Sequence, residues 1–67
     1  MNLDEMRKIV IALDVAERGN RLEKGAYFNM EHDIIYIPWF ERTGIVAEML
    51  EAAGCHWDES SESWASF

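Results

Sequence analysis

Sixty-seven residues make one domain, and a chain this short buries only about 60% of the surface it exposes when unfolded, so it leans on an aromatic-rich core or on self-association. One cysteine, Cys55, excludes an internal disulfide. The acidic opening Met1-Asn2-Leu3-Asp4-Glu5 and a longest apolar run of Ile9 to Leu13 fit neither a secretion signal nor a membrane span, so a cytoplasmic protein is expected. The net charge of −7 is uneven: residues 41–67 hold six acids against Arg42 alone, a balance that repels phosphate backbones and favours basic protein surfaces, or else simply keeps a small protein soluble.

Met6, Ile9, Val10, Leu13 and Ala16 recur at the spacing of one helical face and predict a helix over Leu3 to Arg18. Asn2 is its expected N-cap, Asp4 and Glu5 suit the positive end of its dipole, and Gly19-Asn20 supplies the stop. Ile11 and Val15 fall outside the stripe and widen the apolar face towards a second copy or a partner. A polar link, Asn20 to Lys24, passes Gly25 into a hairpin of Ala26 to Met30 and Ile34 to Ile37, joined by Glu31-His32-Asp33. Pro38 ends the second strand, since it has no N–H for a ladder. Trp39 and Phe40 lead into a second helix, from Arg42 or Thr43 to Ala53. Ile45, Val46, Met49, Leu50 and Ala53 share one side of it, and Glu41, Glu48 and Glu51 another. Thr43 is its candidate cap, weakened by Gly44 directly after, and Gly54 is placed to terminate it.

Cys55 to Phe67 reads as a second hairpin, with Trp57 and Trp64 pairing across the polar loop Asp58 to Glu62. A frayed acidic tail is the alternative, against which stand the two tryptophans and Phe67. The order α-β-β-α-β-β defines an α+β domain over residues 1–67, an antiparallel sheet with two helices packed on it.

Chemistry-bearing residues are few. His32 neighbours Asp33 and Cys55 neighbours His56, yet consecutive strand residues point to opposite faces, so these read as turn and core residues. Zinc needs about four ligands, and His32, Cys55 and His56 offer three at most, short of a site shared across a dimer. No phosphate-binding glycine loop or nucleophile elbow occurs, and the chain has little room for a pocket of about 300 Å³. A non-enzymatic protein without metal or cofactor is expected.

Residues 54–64, Gly54-Cys55-His56-Trp57-Asp58-Glu59-Ser60-Ser61-Glu62-Ser63-Trp64, resemble a short Gly-Ala-x-Trp-Asp…Trp module of primase- and helicase-type proteins of mobile elements, itself loosely similar to the HARP domain of annealing helicases. Gly54, Trp57, Asp58 and Trp64 match in identity and spacing, Ile37-Pro38 is similar to the step before the module's helix, and the likeness covers the chain from Tyr36 onward. It implies a helix–turn–hairpin and a link to nucleic-acid enzymes. Where the module has arginine and lysine this chain has His56 and Glu62, which puts direct DNA contact in doubt.

Two functions from different classes follow. One is an acidic interaction protein of phage or mobile-element type that docks on the basic, nucleic-acid-binding surface of a partner and inhibits it, as inhibitors of CRISPR complexes do. Glu41, Glu48, Glu51, Asp58, Glu59 and Glu62 would supply the charge, and Trp39, with a face of Trp57 or Trp64, the anchors. The other is a nucleic-acid-binding accessory module using Arg18, Arg21, Lys24 and a stacking ring, which must overcome the net charge. A homodimer through the first helix, with no further property, is the plainest reading.

Overall fold

The computed structural model describes residues 1–66, and the chain runs α1 (Leu3–Arg18), β1 (Asn29–Glu31), β2 (Ile34–Ile37), α2 (Ile45–Ala52), β3 (His56–Asp58) and β4 (Ser63–Ser66). This is the expected α-β-β-α-β-β order of a small α+β domain. Among the described residues the strands form one antiparallel sheet in the order β1-β2-β4-β3, so each hairpin has one inner and one edge strand.

Local chemistry sets the ends of α1. The Glu5 N–H donates to Asn2 Oδ1 at 2.9 Å, and Asn2 Nδ2 donates back to Glu5 Oε1 at 3.1 Å, a reciprocal cap that satisfies an orphan donor of the first turn. At the other end Gly19 keeps an ordinary φ of −81°, and Asn20 (φ 59°) makes the left-handed step. The Arg21 N–H then reaches the Ala16 carbonyl at 2.9 Å and the Asn20 N–H that of Glu17 at 3.0 Å, closing a Schellman motif.

The first hairpin is tighter than the sequence pattern implies. Its turn is two residues, His32 (φ 52°) and Asp33 (φ 66°), and the paired strand begins at Asn29 instead of Ala26. Two positive φ values match the right-handed strand twist, and an aspartate tolerates them better than most residues. α2 also starts later than expected. Thr43 makes no cap, and Gly44 (φ 101°, ψ −178°) takes the N-cap position in a conformation open essentially to glycine, delaying the helix to Ile45. Its far end repeats the α1 solution, with Gly54 at φ 86° and the Cys55 N–H on the Leu50 carbonyl at 3.0 Å.

In the second hairpin Trp57 stands directly opposite Trp64, the rings edge to face with centroids 6.2 Å apart. Such a pair contributes about 0.5–1.5 kcal/mol beyond its buried area. Phe67, expected to help order this segment, lies outside the described residues.

Register assigns the faces. Met30, Ile35, Ile37, Trp57, Trp64 and Ser66 share the helix side, while Asn29, Glu31, Ile34, Tyr36, His56, Asp58, Ser63 and Ala65 share the other. Ile37 and Trp64 meet Ile9, Ala12, Leu13 and Ala16 from α1 and Val46, Ala47, Leu50 and Ala53 from α2, with Trp39 and Cys55 closing the core. The alanines let the two helices approach closely. Glu5 in the first turn of α1 lies beside Gly54, just past the end of α2, so the helices run antiparallel. Three members of the expected stripes stay outside the core: Met6, Val10 and Ile45 are exposed, Met49 packs half-buried against its margin, and Ala12 and Ala47 are buried within it.

Candidate interaction surface

Trp57 belongs to β3, an edge strand, so its ring faces the core but is only partly covered. The Arg42 guanidinium, from the segment before α2, lies over that ring at 5.0 Å from its centroid and pairs with Glu59 from the β3–β4 loop. Two shallow hollows meet at Arg42 and Trp57. One adds Glu51 and His56, the other Phe40, Glu59 and Glu62. The fold thus gathers Glu51, Glu59 and Glu62 from two elements around one aromatic–cationic platform. Glu48 stands one helical turn before Glu51 and is exposed. Among the described residues Glu48, Glu51 and Glu62 form no ion pair, so their charge faces water.

The other expected acids are occupied. The Glu41 carboxylate pairs with Arg21 and its main-chain carbonyl accepts the Trp64 Nε1–H at 2.7 Å, so Glu41 ties three segments together instead of presenting free charge. Asp58 faces the uncovered side of the sheet and organises the loop. Its carboxylate accepts the Ser61 hydroxyl at 2.7 Å, the Ser60 hydroxyl at 3.0 Å and the N–H groups of both, and these bonds, that of the Ser61 hydroxyl foremost, hold its pKa below the ordinary 3.8.

Trp39 is 3% exposed, which removes it as an anchor: it fills the core with Arg21 over its ring at 5.7 Å. Its neighbour Phe40, 64% exposed with ring centroids 5.0 Å away, takes the outward position. Trp64 is likewise buried. The sequence carried a signal for the platform, since Arg42 is the lone base of an acidic half, but the distance from Arg42 to Trp57 along the chain hid the pairing.

The expected basic surface is dispersed. Arg18 pairs with Asp14 at 2.9 Å and Arg21 with Glu41, leaving Lys24 as the member of that trio without an ion pair among the described residues. Cys55 is buried, and its thiol is pushed up to about 11 by desolvation, with a lesser push from the Glu5 carboxylate, so it stays protonated at neutral pH. His32 sits in the β1–β2 turn, with β4 between that hairpin and the strand that follows Cys55 and carries His56. No group of three or more His, Cys, Asp or Glu able to hold a metal ion is found among the described residues, and no described helix is long and apolar enough to cross a membrane.

The four residues on which the resemblance rests all have structural duties here: Gly54 turns the chain after α2, Trp57 and Trp64 pair, and Asp58 organises the loop. In comparisons with known proteins, no family model, no curated protein and no solved structure matches this chain.

Proposed function

We propose that this chain is a small acidic interaction protein that occupies a basic, nucleic-acid-binding surface of a partner protein and thereby inhibits it, in the manner of phage or mobile-element inhibitors of CRISPR-type complexes. The carrying observation is the convergence of Glu51, Glu59 and Glu62 around Phe40, Arg42 and Trp57, with Glu48 beside them and three of these four acids free of ion pairs. Exposed carboxylates around a partly exposed ring combine long-range attraction for cations with a desolvated anchor. Arg42 links Glu59 to the Trp57 ring, while Glu48 and Glu51 are carried by α2 and Glu62 by the β3–β4 loop.

Fluorescence anisotropy with labelled single-stranded, duplex and forked DNA at low salt separates this reading from a nucleic-acid-binding module. No binding is expected. Tight binding that weakens with salt would sink the acidic-surface reading. A host-lysate pull-down with the wild type and with Glu48→Lys/Glu51→Lys/Glu62→Lys then follows. A nucleic-acid-binding protein held by the wild type and released by the triple variant is expected, and equal retention by both contradicts the proposal.

A further inference from the structure

The other edge of the sheet has a different chemistry. Every residue of β1 is exposed, and beside it Met1, Met6, Val10, Phe28 and Met30 line an apolar hollow of about 150 Å³ over Ile35 and Ile9. These five side chains are 43% to 68% exposed, and together they amount to several hundred Å², comparable to the largest patch of about 300–600 Å² on a typical monomer. Tyr27 is 88% exposed. An edge strand is normally protected by lysine, proline or a bulge. Tyr27 to Glu31 contain no lysine or proline, and the pairing of β1 with β2 is regular throughout.

The backbone fixes which groups are available. The two-residue turn makes Glu31 and Ile34 a hydrogen-bonded pair, so by alternation Asn29 bonds to Tyr36. The Met30 N–H and C=O then point away from the sheet, and the same alternation, carried to Phe28 just before β1 by the lining of Tyr27, Asn29 and Glu31 on one face and Phe28 and Met30 on the other, turns those of Phe28 outward too. Pairing β1 with a second β1 in antiparallel fashion has one register that uses all of them: Phe28 opposite Met30, Asn29 opposite Asn29, and Tyr27 opposite Glu31.

We infer that β1 and the adjoining flank of α1 bind a second copy of this chain, as a two-fold antiparallel strand pair centred on Asn29. The register is self-complementary. Phe28 and Met30 form two apolar cross-strand pairs on the helix side, next to Met6 and Val10 of both copies. Glu31, the acid of β1, meets a tyrosine hydroxyl instead of its own twin. The strongly acidic half of the chain lies on the β3 side, across the sheet, so the charges that would repel a second copy are held away from the contact. A two-fold contact closes on itself and yields a dimer, not a fibre. Covering this patch also relieves the shortage of buried apolar surface that a 67-residue chain carries. The β3 edge with its acidic platform stays open in the dimer, so this contact stands or falls independently of the proposed partner.

The register is tested by cross-linking. Asn29 and its twin form a non-hydrogen-bonded pair, with Cα atoms about 4.5 Å apart, within the range of about 4.4–6.8 Å that a disulfide spans. In a Cys55→Ala background, Asn29→Cys is expected to give a covalent dimer under mild oxidation, much faster than Glu31→Cys, whose twin positions are staggered. Light scattering of the wild type over micromolar to submillimolar concentrations should show a monomer–dimer equilibrium. Met30→Lys should raise its dissociation constant at least about tenfold with unchanged circular dichroism, equivalent to about 1.4 kcal/mol. A wild type that stays monomeric, a dimer indifferent to Met30→Lys, or Asn29→Cys linking no faster than Glu31→Cys each overturns the inference.

Discussion

The two hairpins share their strand lengths, three residues on the edge and four inside, yet they do opposite work. In β3–β4 both tryptophans turn inward, the loop is held by Asp58, and Trp64 on the inner strand is 2% exposed. In β1–β2 the outer strand leaves every residue in solvent, and Met30, the one side chain aimed at the helix side, is 68% exposed. The difference is what lies over each. α2 and the Trp39 segment close the core over the second hairpin, whereas α1 reaches β2 and stops short of β1, leaving Met6 and Val10 beside it. One hairpin is packed into the core, while the outer strand of the other is left open for the proposed contact with a second copy.

The largest effect should therefore come from the second hairpin. Trp64→Ala is expected to cost about 3–5 kcal/mol, most of what a domain stabilised by roughly 0.05–0.15 kcal/mol per residue holds. In dilute solution Met30→Ala should stay within about 0.5 kcal/mol, as exposed substitutions do. Urea titrations that found the two equal would dissolve the contrast. A gentler version compares rings: Trp64→Phe strands the Glu41 carbonyl, while Trp39→Phe removes an indole N–H that has no partner, so Trp64→Phe should cost more.

Alkaline pH probes the core through Cys55. The folded chain holds the Cys55 proton up to about 11 against an ordinary 9.0, so the unfolded chain loses its proton first. The stability linked to that proton is fully present below pH 9 and is lost as pH rises towards 11. Cys55→Ala should flatten that fall, and native-state thiol labelling should stay slow until the same range.

Backbone changes come next. Gly54→Ala meets a φ of 86°, with the Glu5 carboxylate the nearest group at 3.9 Å, so strain decides: about 1–2 kcal/mol lost. Asn-Gly in place of His32-Asp33 relaxes two residues from positive φ and should gain about 1 kcal/mol, tightening the open hairpin without touching its edge. The smallest effect belongs to Asp58→Asn. Its folded pKa is depressed, so the stability it contributes is present above 3.8 and lost as pH falls through the lower folded value; wild type and variant should converge in acid.

The element order, the α1 cap and the Trp57–Trp64 pair could be read in the sequence because each rests on local spacing or local hydrogen bonds. The boundaries that moved did so where glycine or a positive φ overrode pattern: Gly44 delayed α2, and His32-Asp33 shortened the first turn. The proposed interaction surface was half legible. Charge asymmetry pointed to Glu48, Glu51 and Glu62, but which of two adjacent aromatics faces water is set by packing. Trp39 and Phe40 therefore exchanged roles, and Glu41 was claimed by Arg21 from twenty residues upstream.

The position of β4 between β2 and β3 has a temporal consequence. Ile37 pairs with Trp64 and Ile35 with Ser66, about thirty residues apart, so as the chain leaves the ribosome β2 waits with its inner edge unpaired until the Trp64 segment emerges. The first hairpin then exposes both its edges at once. Completion of the sheet is a single late event, and until it happens the nascent chain is at its most vulnerable to pairing with a neighbour.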